Sequence, residues 1–349
     1  MWYNSLLERY QIPDFLLRAG LRLLLRKRLK DEFSGDAEIQ QQQFNELLEE
    51  LRNGPISGRG TGANPQHYAL PAEFYAQCLG KHLKFSSAYW RAGVTDLDIA
   101  EEDMLELTCQ RADLQNGQEI LELGCGWGAL SLFMAAKYPE SEVTAVSNSP
   151  AQKIYIDQLA KDRELPNLTV ITAEMNTFQI LQQFDRVVAV GLFEHMRNYK
   201  LLLAKIAGFL KENGKLFVHL FSHQTLAYPF VVKEEDDWLG RHFFTGGMMP
   251  SNHLLSYFNE DLNLDKHWIV NGRHYSKTAE AWLKNMDSRE HLLMPVLEKA
   301  YGKADAAKWW LYWRVFFLSF AEMFGFRKGN EWMVCHYLFK KKNCAKEWI

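Results

Sequence analysis

Leu121-Glu122-Leu123-Gly124-Cys125-Gly126-Trp127-Gly128 is the stretch of this 349-residue chain whose residue types and spacing most directly permit chemistry. Three glycines at alternate positions, between a strand-like run and a helix opening at Ala129, let backbone approach a ligand closely. The helix beyond them offers free amides and a positive dipole end. A second candidate is the pair Glu194-His195, a carboxylate and an imidazole placed after an apolar run and suited to moving a proton. If that pair continues an extended strand, its side chains point opposite ways, and only one enters a site while the other holds a loop. His219 and His223 stand four apart, but at a strand end rather than on a helix, so they are not read as metal ligands.

The elements that must position these groups alternate. Strand-like Glu119–Leu123, Glu142–Ser147, Leu168–Ala173, Asp185–Val190 and Lys215–Phe221 are separated by helical stretches opening at Ala129, Ala151 and Tyr199. That order predicts an α/β fold with a mostly parallel central sheet and helices on both faces. From Gln224 to Asp261 the chain is irregular, aromatic and acidic, which suits an inserted lid. Strand-like Leu264–Val270 and Trp332–Phe339 then bracket a helical segment, Thr278–Phe324. Upstream, a helix is expected from Leu6 to about Lys30, interrupted at Pro13, with Leu16, Leu17, Leu21, Leu24 and Leu25 at helical spacing. Its other face carries Arg18, Arg22, Arg26, Lys27, Arg28 and Lys30. Those charges either dock on anionic lipid or stay solvated while the apolar face packs on the chain or a second subunit. A second helix, Ala37–Arg52, leads into Gly54–Gly62, a stretch without periodicity.

With 40 basic against 43 acidic side chains and a formal charge of -3, nothing suggests nucleic acid as a partner. Cys78, Cys109, Cys125, Cys335 and Cys344 are odd in number and contain no Cys-x-x-Cys pair, which suits a reducing, cytoplasmic setting. Glu8, Arg9 and Asp14 stand where a signal peptide would be apolar, and Arg314 and Glu322 interrupt the apolar stretch Trp309–Phe326. The latter is expected to be a buried helix.

The third glycine of the loop comes one residue earlier than in Gly-x-Gly-x-x-Gly, and Glu122 directly precedes the loop. This resembles the first motif of Rossmann-like class I methyltransferases, which implies S-adenosylmethionine as cofactor; a dinucleotide is the alternative on glycine spacing alone. The same resemblance places Asn148 and Gln152 near ribose or adenine, and Glu174 and Met175 at the adenine amino group and ring. Longer stretches agree: Phe85-Ser86-Ser87-Ala88-Tyr89-Trp90, Leu192-Phe193-Glu194-His195-Met196, Asp236-Asp237-Trp238, Phe243-Phe244-Thr245-Gly246-Gly247 and Glu331-Trp332-Met333-Val334. They resemble the cyclopropane-fatty-acid synthase superfamily, most closely its coclaurine N-methyltransferase branch, over about Tyr68 to Lys342.

What the resemblance implies is specific. Ser86 and Tyr89 would close over the cofactor's amino-acid end, and Glu194 and His195 would be catalytic. Tyr68, Phe244, Trp313 and Phe316 would line an amine pocket. In the lipid-modifying branch, residues matching Glu194, His219 and Tyr275 hold bicarbonate. Two positions depart from the patterns: Gly191 stands where the plant N-methyltransferases have an acidic residue, and Ser87 where lipid synthases usually have cysteine. The expected segmentation is residues 1–65 a helical extension and linker, 66–115 a cofactor-covering helical segment, 116–223 the Rossmann-like core, 224–330 the lid and helical cap, and 331–349 a final strand and tail.

The chemistry explains the residue types. Transfer from a sulfonium is a direct displacement that needs alignment and a free lone pair on the acceptor. An aliphatic amine with pKa about 10.4 is mostly protonated at pH 7, a deficit of about 3.4 units or about 4.6 kcal/mol that a nearby base relieves. Aromatic walls attract the cation by about 0.5 to 2 kcal/mol per contact. The expected function is N-methylation of a small cyclic or aromatic amine. Its rival is modification of unsaturated acyl chains, in which a base takes a proton from a carbocation. A third reading is a silent relative, and a homodimer is a further expectation.

Overall fold

The computed structural model describes residues 12–57, 70–230, 243 and 246–342. Tyr68, Phe244, Cys344 and the Asp236-Asp237-Trp238 stretch lie outside the described residues. The chain runs through α1 (Asp14–Glu32), α2 (Ala37–Glu50), α3 (Ala72–Cys78), α4 (Leu97–Arg111), β1 (Glu119–Leu123), α5 (Ala129–Lys137), β2 (Glu142–Ser147), α6 (Pro150–Asp162) and β3 (Leu168–Thr172). It continues through β4 (Phe184–Val190), a short turn of 3-10 helix (Phe193–His195), α7 (Tyr199–Phe209), β5 (Leu210–His223), β6 (Tyr228–Pro229), β7 (Met248–Met249) and β8 (Leu262–Val270). The helices α8 (Arg273–Ser288), α9 (Glu290–Tyr301) and α10 (Ala306–Gly325) and the strand β9 (Trp332–Lys341) complete it.

Seven strands form one sheet in the order β3-β2-β1-β4-β5-β9-β8. The first five are parallel, and β9 lies antiparallel between β5 and β8. Central strands covered on both faces must be apolar along their whole length, and Ile120, Leu121 and Leu123 of β1 and Val187, Val188 and Ala189 of β4 are fully buried. The strand order reverses direction between β1 and β4, where a crevice opens at the carboxyl ends.

Helices α8 to α10 form a cap whose core is aromatic. Trp313, Phe316, Phe317, Phe320 and Phe324 of α10 pack with Tyr275 and Trp282 of α8 and with Phe74 and Tyr75 of α3. As expected for Trp309–Phe326, this helix is buried, and no helix among the described residues is long and apolar enough to cross a membrane. The N-terminal helix leans on the cap through Leu17, Leu21, Leu25 and Leu29, a strict every-fourth-residue stripe. Leu16 and Leu24, expected on the packed face, are 51% and 47% exposed, because a single neighbouring surface takes a narrower stripe than the sequence offers. The basic face is not wholly solvated either. Arg18 pairs with Glu280 (2.5 Å) and Glu322 (2.9 Å), and Arg22 with Glu322 (2.5 Å), so the carboxylate of Glu322, only 7% exposed, is met by two guanidinium groups.

Candidate active site

Two adjoining cavities lie at the carboxyl ends of the central strands, sharing Phe85, Ser86 and Gly191 in their walls. The first is wrapped by the glycine loop. Gly124, Gly126 and Gly128 all have positive φ (79°, 53° and 82°), the left-handed region that side chains disfavour. Gly124 and Cys125 donate their amides to the Val146 carbonyl, which folds the loop back on β2. At Gly128, which caps α5, closeness matters as much as dihedral angle: an added Cβ would sit 2.7 Å from Ile156 Cγ1.

Polar groups of both signs line this cavity. Glu122 is buried on β1, and burial raises its carboxyl to about 7, opposed by a short hydrogen bond from Ser131 and by the charge of Lys84. Lys84 is equally buried, and its ammonium donates to Ser86 Oγ (2.5 Å) and to the Ser87 carbonyl (2.8 Å). Burial lowers it to about 7 against the pull of Glu101 and Glu122. Gln152, one turn into α6, accepts from the Ser147 hydroxyl through Oε1, while its buried Nε2 has no hydrogen-bond partner among the described residues. A buried amide left unsatisfied is costly and points to a ligand that completes it. An ammonium, a carboxylate and an open amide donor fit the amino-acid end and nucleoside of S-adenosylmethionine, as the loop predicted. Asn148 and Glu174 are exposed at the ends of β2 and β3, and Met175 is buried beside Glu174; none of the three is in the enclosed wall. Tyr89, expected to close over the cofactor with Ser86, stacks on His274 at 4.5 Å and is not part of that wall, whereas Ser86 is.

The second cavity is lined by Glu194, His195, His219, Phe221, Tyr275, Phe316 and Phe320, with the three shared residues. Glu194 and His195 do not continue β4; a turn of 3-10 helix takes them both into the wall. The alternative in which only one enters applied to an extended strand: alternation holds there and ends where the backbone coils. Glu194 Oε1 accepts from the Phe221 amide (2.9 Å), and Oε2 is buried without a partner among the described residues. Burial pushes its carboxyl up to about 7, against the pull of backbone hydrogen bonds. Burial also lowers His195 to about 4, so its ring is neutral at physiological pH.

His223, four residues beyond His219, is committed elsewhere. Its Nδ1 accepts from the amides of Thr225 and Leu226, and its Nε2 meets Glu331 at 3.0 Å. Trp313, expected to line the amine pocket, is absent from the wall. It is fully buried behind Phe316, packed with Phe74 and Phe243. An aromatic run on one helix presents only part of itself to a cavity, and Trp313 falls on the side that makes core. Phe316, expected in the amine pocket, and Tyr275, matched to a bicarbonate ligand, are both in the wall. Sequence reasoning missed Lys84, whose place between two apolar residues, Leu83 and Phe85, was the available signal. It also missed His336 and Arg111, which stand behind His219 and carry no local signal.

Comparison with known proteins agrees with this geometry. The mycolic acid cyclopropane synthetase family model matches residues 59–323. The chain is 40% identical over 340 residues to (S)-coclaurine N-methyltransferase of Thalictrum flavum subsp. glaucum, covering 96% of this chain and 94% of that one. It is 28% identical over 271 residues to cyclopropane-fatty-acyl-phospholipid synthase of Escherichia coli K12, covering 76% of this chain and 64% of that one. Its fold matches a crystal structure of coclaurine N-methyltransferase bound to N-methylheliamine and S-adenosylhomocysteine with a TM-score of 0.93 at 38% identity, covering 97% and 99% of the two chains. A cofactor cavity built on the glycine loop, opening beside a buried carboxylate, and relatives of this similarity over nearly the whole length lead to one conclusion: the chain belongs to the cyclopropane synthase family of S-adenosylmethionine-dependent methyltransferases, in its coclaurine N-methyltransferase branch.

Proposed function

We propose that this enzyme N-methylates a small cyclic or aromatic amine held in the second cavity, with Glu194 as the base. The observation that carries this reading is the Oε2 of Glu194, buried and open to a partner in a cavity whose wall is shared with the cofactor cavity. S-adenosylmethionine would supply the electrophilic methyl group, held by Lys84, Glu122 and Gln152 in the wall that the glycine loop shapes. Glu194, raised toward neutrality by burial, takes the proton of the bound ammonium and frees the lone pair. His195, kept neutral, borders the same space and orients the acceptor. Phe316, Phe320 and Tyr275 exclude water and offer ring faces to a cation.

A second reading is favoured by one observation: Glu194, His219 and Tyr275, the positions that match bicarbonate ligands in the lipid-modifying branch, share one cavity. Against it, the cleft beside α1 sets Arg18, Arg22, Arg26, Lys30, Glu280 and Glu322 among Leu29, Phe33, Leu226 and Phe326, where an acyl chain would want a continuous apolar wall. Incubation with methyl-labelled S-adenosylmethionine and either an amine panel or unsaturated phospholipid vesicles separates the two. Label is expected in amine; label confined to lipid would overturn the first reading. Cys78, Cys109, Cys125 and Cys335 are buried free thiols, which supports a reducing, cytoplasmic setting.

A further inference from the structure

Behind the acceptor cavity, three side chains from three distant segments form a chain of hydrogen bonds. Arg111 Nη1, at the end of α4, lies 2.9 Å from His336 Nδ1 on β9. His336 Nε2 lies 2.9 Å from His219 Nδ1 on β5. The register of the two strands sets the second contact, since His219 and His336 are paired directly across β5 and β9. Arg111 is held on its other side by Trp268, its guanidinium 5.1 Å from the ring centre. His219 and His336 are both deeply buried, and burial together with neighbouring positive charge keeps both rings neutral.

A neutral imidazole carries one proton, and a guanidinium can only donate. Nδ1 of His336 must therefore accept from Arg111, which leaves the His336 proton on Nε2. That proton is given to His219 Nδ1, which leaves the His219 proton on Nε2. We infer that Arg111, acting through His336, fixes His219 as the Nε2–H tautomer and so turns it into a hydrogen-bond donor for the acceptor cavity. Arg111 and His336 are positioning residues; neither lines the cavity. The cavity then offers a ligand two complementary partners, an acceptor at Glu194 and a donor at His219. The ligand chemistry selected by the donor is an oxygen lone pair, on a hydroxyl, a phenol or an oxyanion. This rests on the cavity being the acceptor site, but the tautomer itself is a property of the free enzyme.

The test is nitrogen-15 NMR of the full-length protein labelled at histidine, without ligand, with the two rings assigned by H219Q and H336Q. In the wild type, both rings should show a protonated Nε2 and a bare Nδ1; a protonated Nδ1 on either ring would overturn the inference, whatever the substrate proves to be. R111M, at a half-buried surface position, should introduce a second population of His219 protonated at Nδ1, and R111K, which again can only donate, should restore the single tautomer. Spectra of R111M identical to wild type at both rings, or R111K matching R111M, would equally overturn it. Were R111M not to fold, the wild-type assignment alone decides.

Discussion

The two cavities share Phe85, Ser86 and Gly191 but are built in opposite ways. The cofactor cavity takes Gly124, Cys125, Gly126, Trp127, Ala129 and Leu130 of its wall from one short stretch, whose course follows from backbone that must be glycine. The acceptor cavity is assembled from the turn after β4, the end of β5, the start of α8 and the middle of α10, segments that together span more than a hundred residues of chain. The loop part of the first is local, fixed by dihedral angles. The second is a product of packing, and its chemistry depends on a carboxyl group moved far from its usual range by burial. A contiguous site can be inherited intact while an assembled one is retuned by changes in any contributing element, which fits one cofactor serving relatives named for alkaloid and for lipid modification.

The sharpest way to break this comparison is at the loop. Gly128→Ala combines a left-handed backbone, costing about 1–2 kcal/mol, with overpacking against Ile156, costing about 1–3 kcal/mol. Calorimetric titration with S-adenosylhomocysteine should show binding lost and the melting temperature lowered. Gly126→Ala, whose Cβ meets no protein atom within 4 Å but stands in the cofactor cavity's wall, should weaken binding while lowering the melting temperature less than Gly128→Ala. An equal fall in melting temperature from both would mean that dihedral angle alone, not closeness to Ile156, sets the loop's stability.

Glu194→Gln tests the assembled site. Turnover should fall by about 10²–10⁴-fold while affinity for S-adenosylhomocysteine stays at the wild-type value. The wild-type rate should rise with pH through an inflection at about 7 as the carboxyl loses its proton, and the variant should lack that inflection. Stability carries the opposite sign. Because folding raises this pKa, the neutral acid's contribution is fully present below the unfolded value and is lost as pH rises through about 7. Thermal unfolding should therefore show the glutamine variant gaining on wild type between pH 5 and pH 8; a constant difference would deny that Glu194 ionises at a cost in the fold.

The smallest effect is expected far from both cavities. Arg22 is 54% exposed, so Arg22→Ala should cost no more than about 1 kcal/mol despite its short contact with Glu322, which Arg18 still satisfies. The melting temperature should move slightly and cofactor affinity not at all. A change in cofactor affinity would show that α1 and the cap communicate with the loop.

Particular elements show how much was legible. The alternation of strands and helices, the parallel core and the glycine loop were readable because each rests on periodicity or on backbone sterics within a few residues. The pair Glu194-His195 was identified but its orientation was not, since a turn of 3-10 helix in place of extended strand depends on what packs around it. The aromatic run of α10 was visible, yet which of Trp313 and Phe316 faces the cavity depends on how the helix is rotated against α3 and α8.

The sequence by itself determined the fold class, the cofactor loop and the list of groups able to do chemistry, because these follow from local rules of dihedral angle, propensity and side-chain type. Tertiary structure alone decided which of those groups share a cavity, brought Lys84 to face Glu122, and set His336 and Arg111 behind His219. The physical reason is that burial and long-range pairing, not residue type, set a side chain's protonation, tautomer and partners, and both arise only once strands distant in sequence lie side by side.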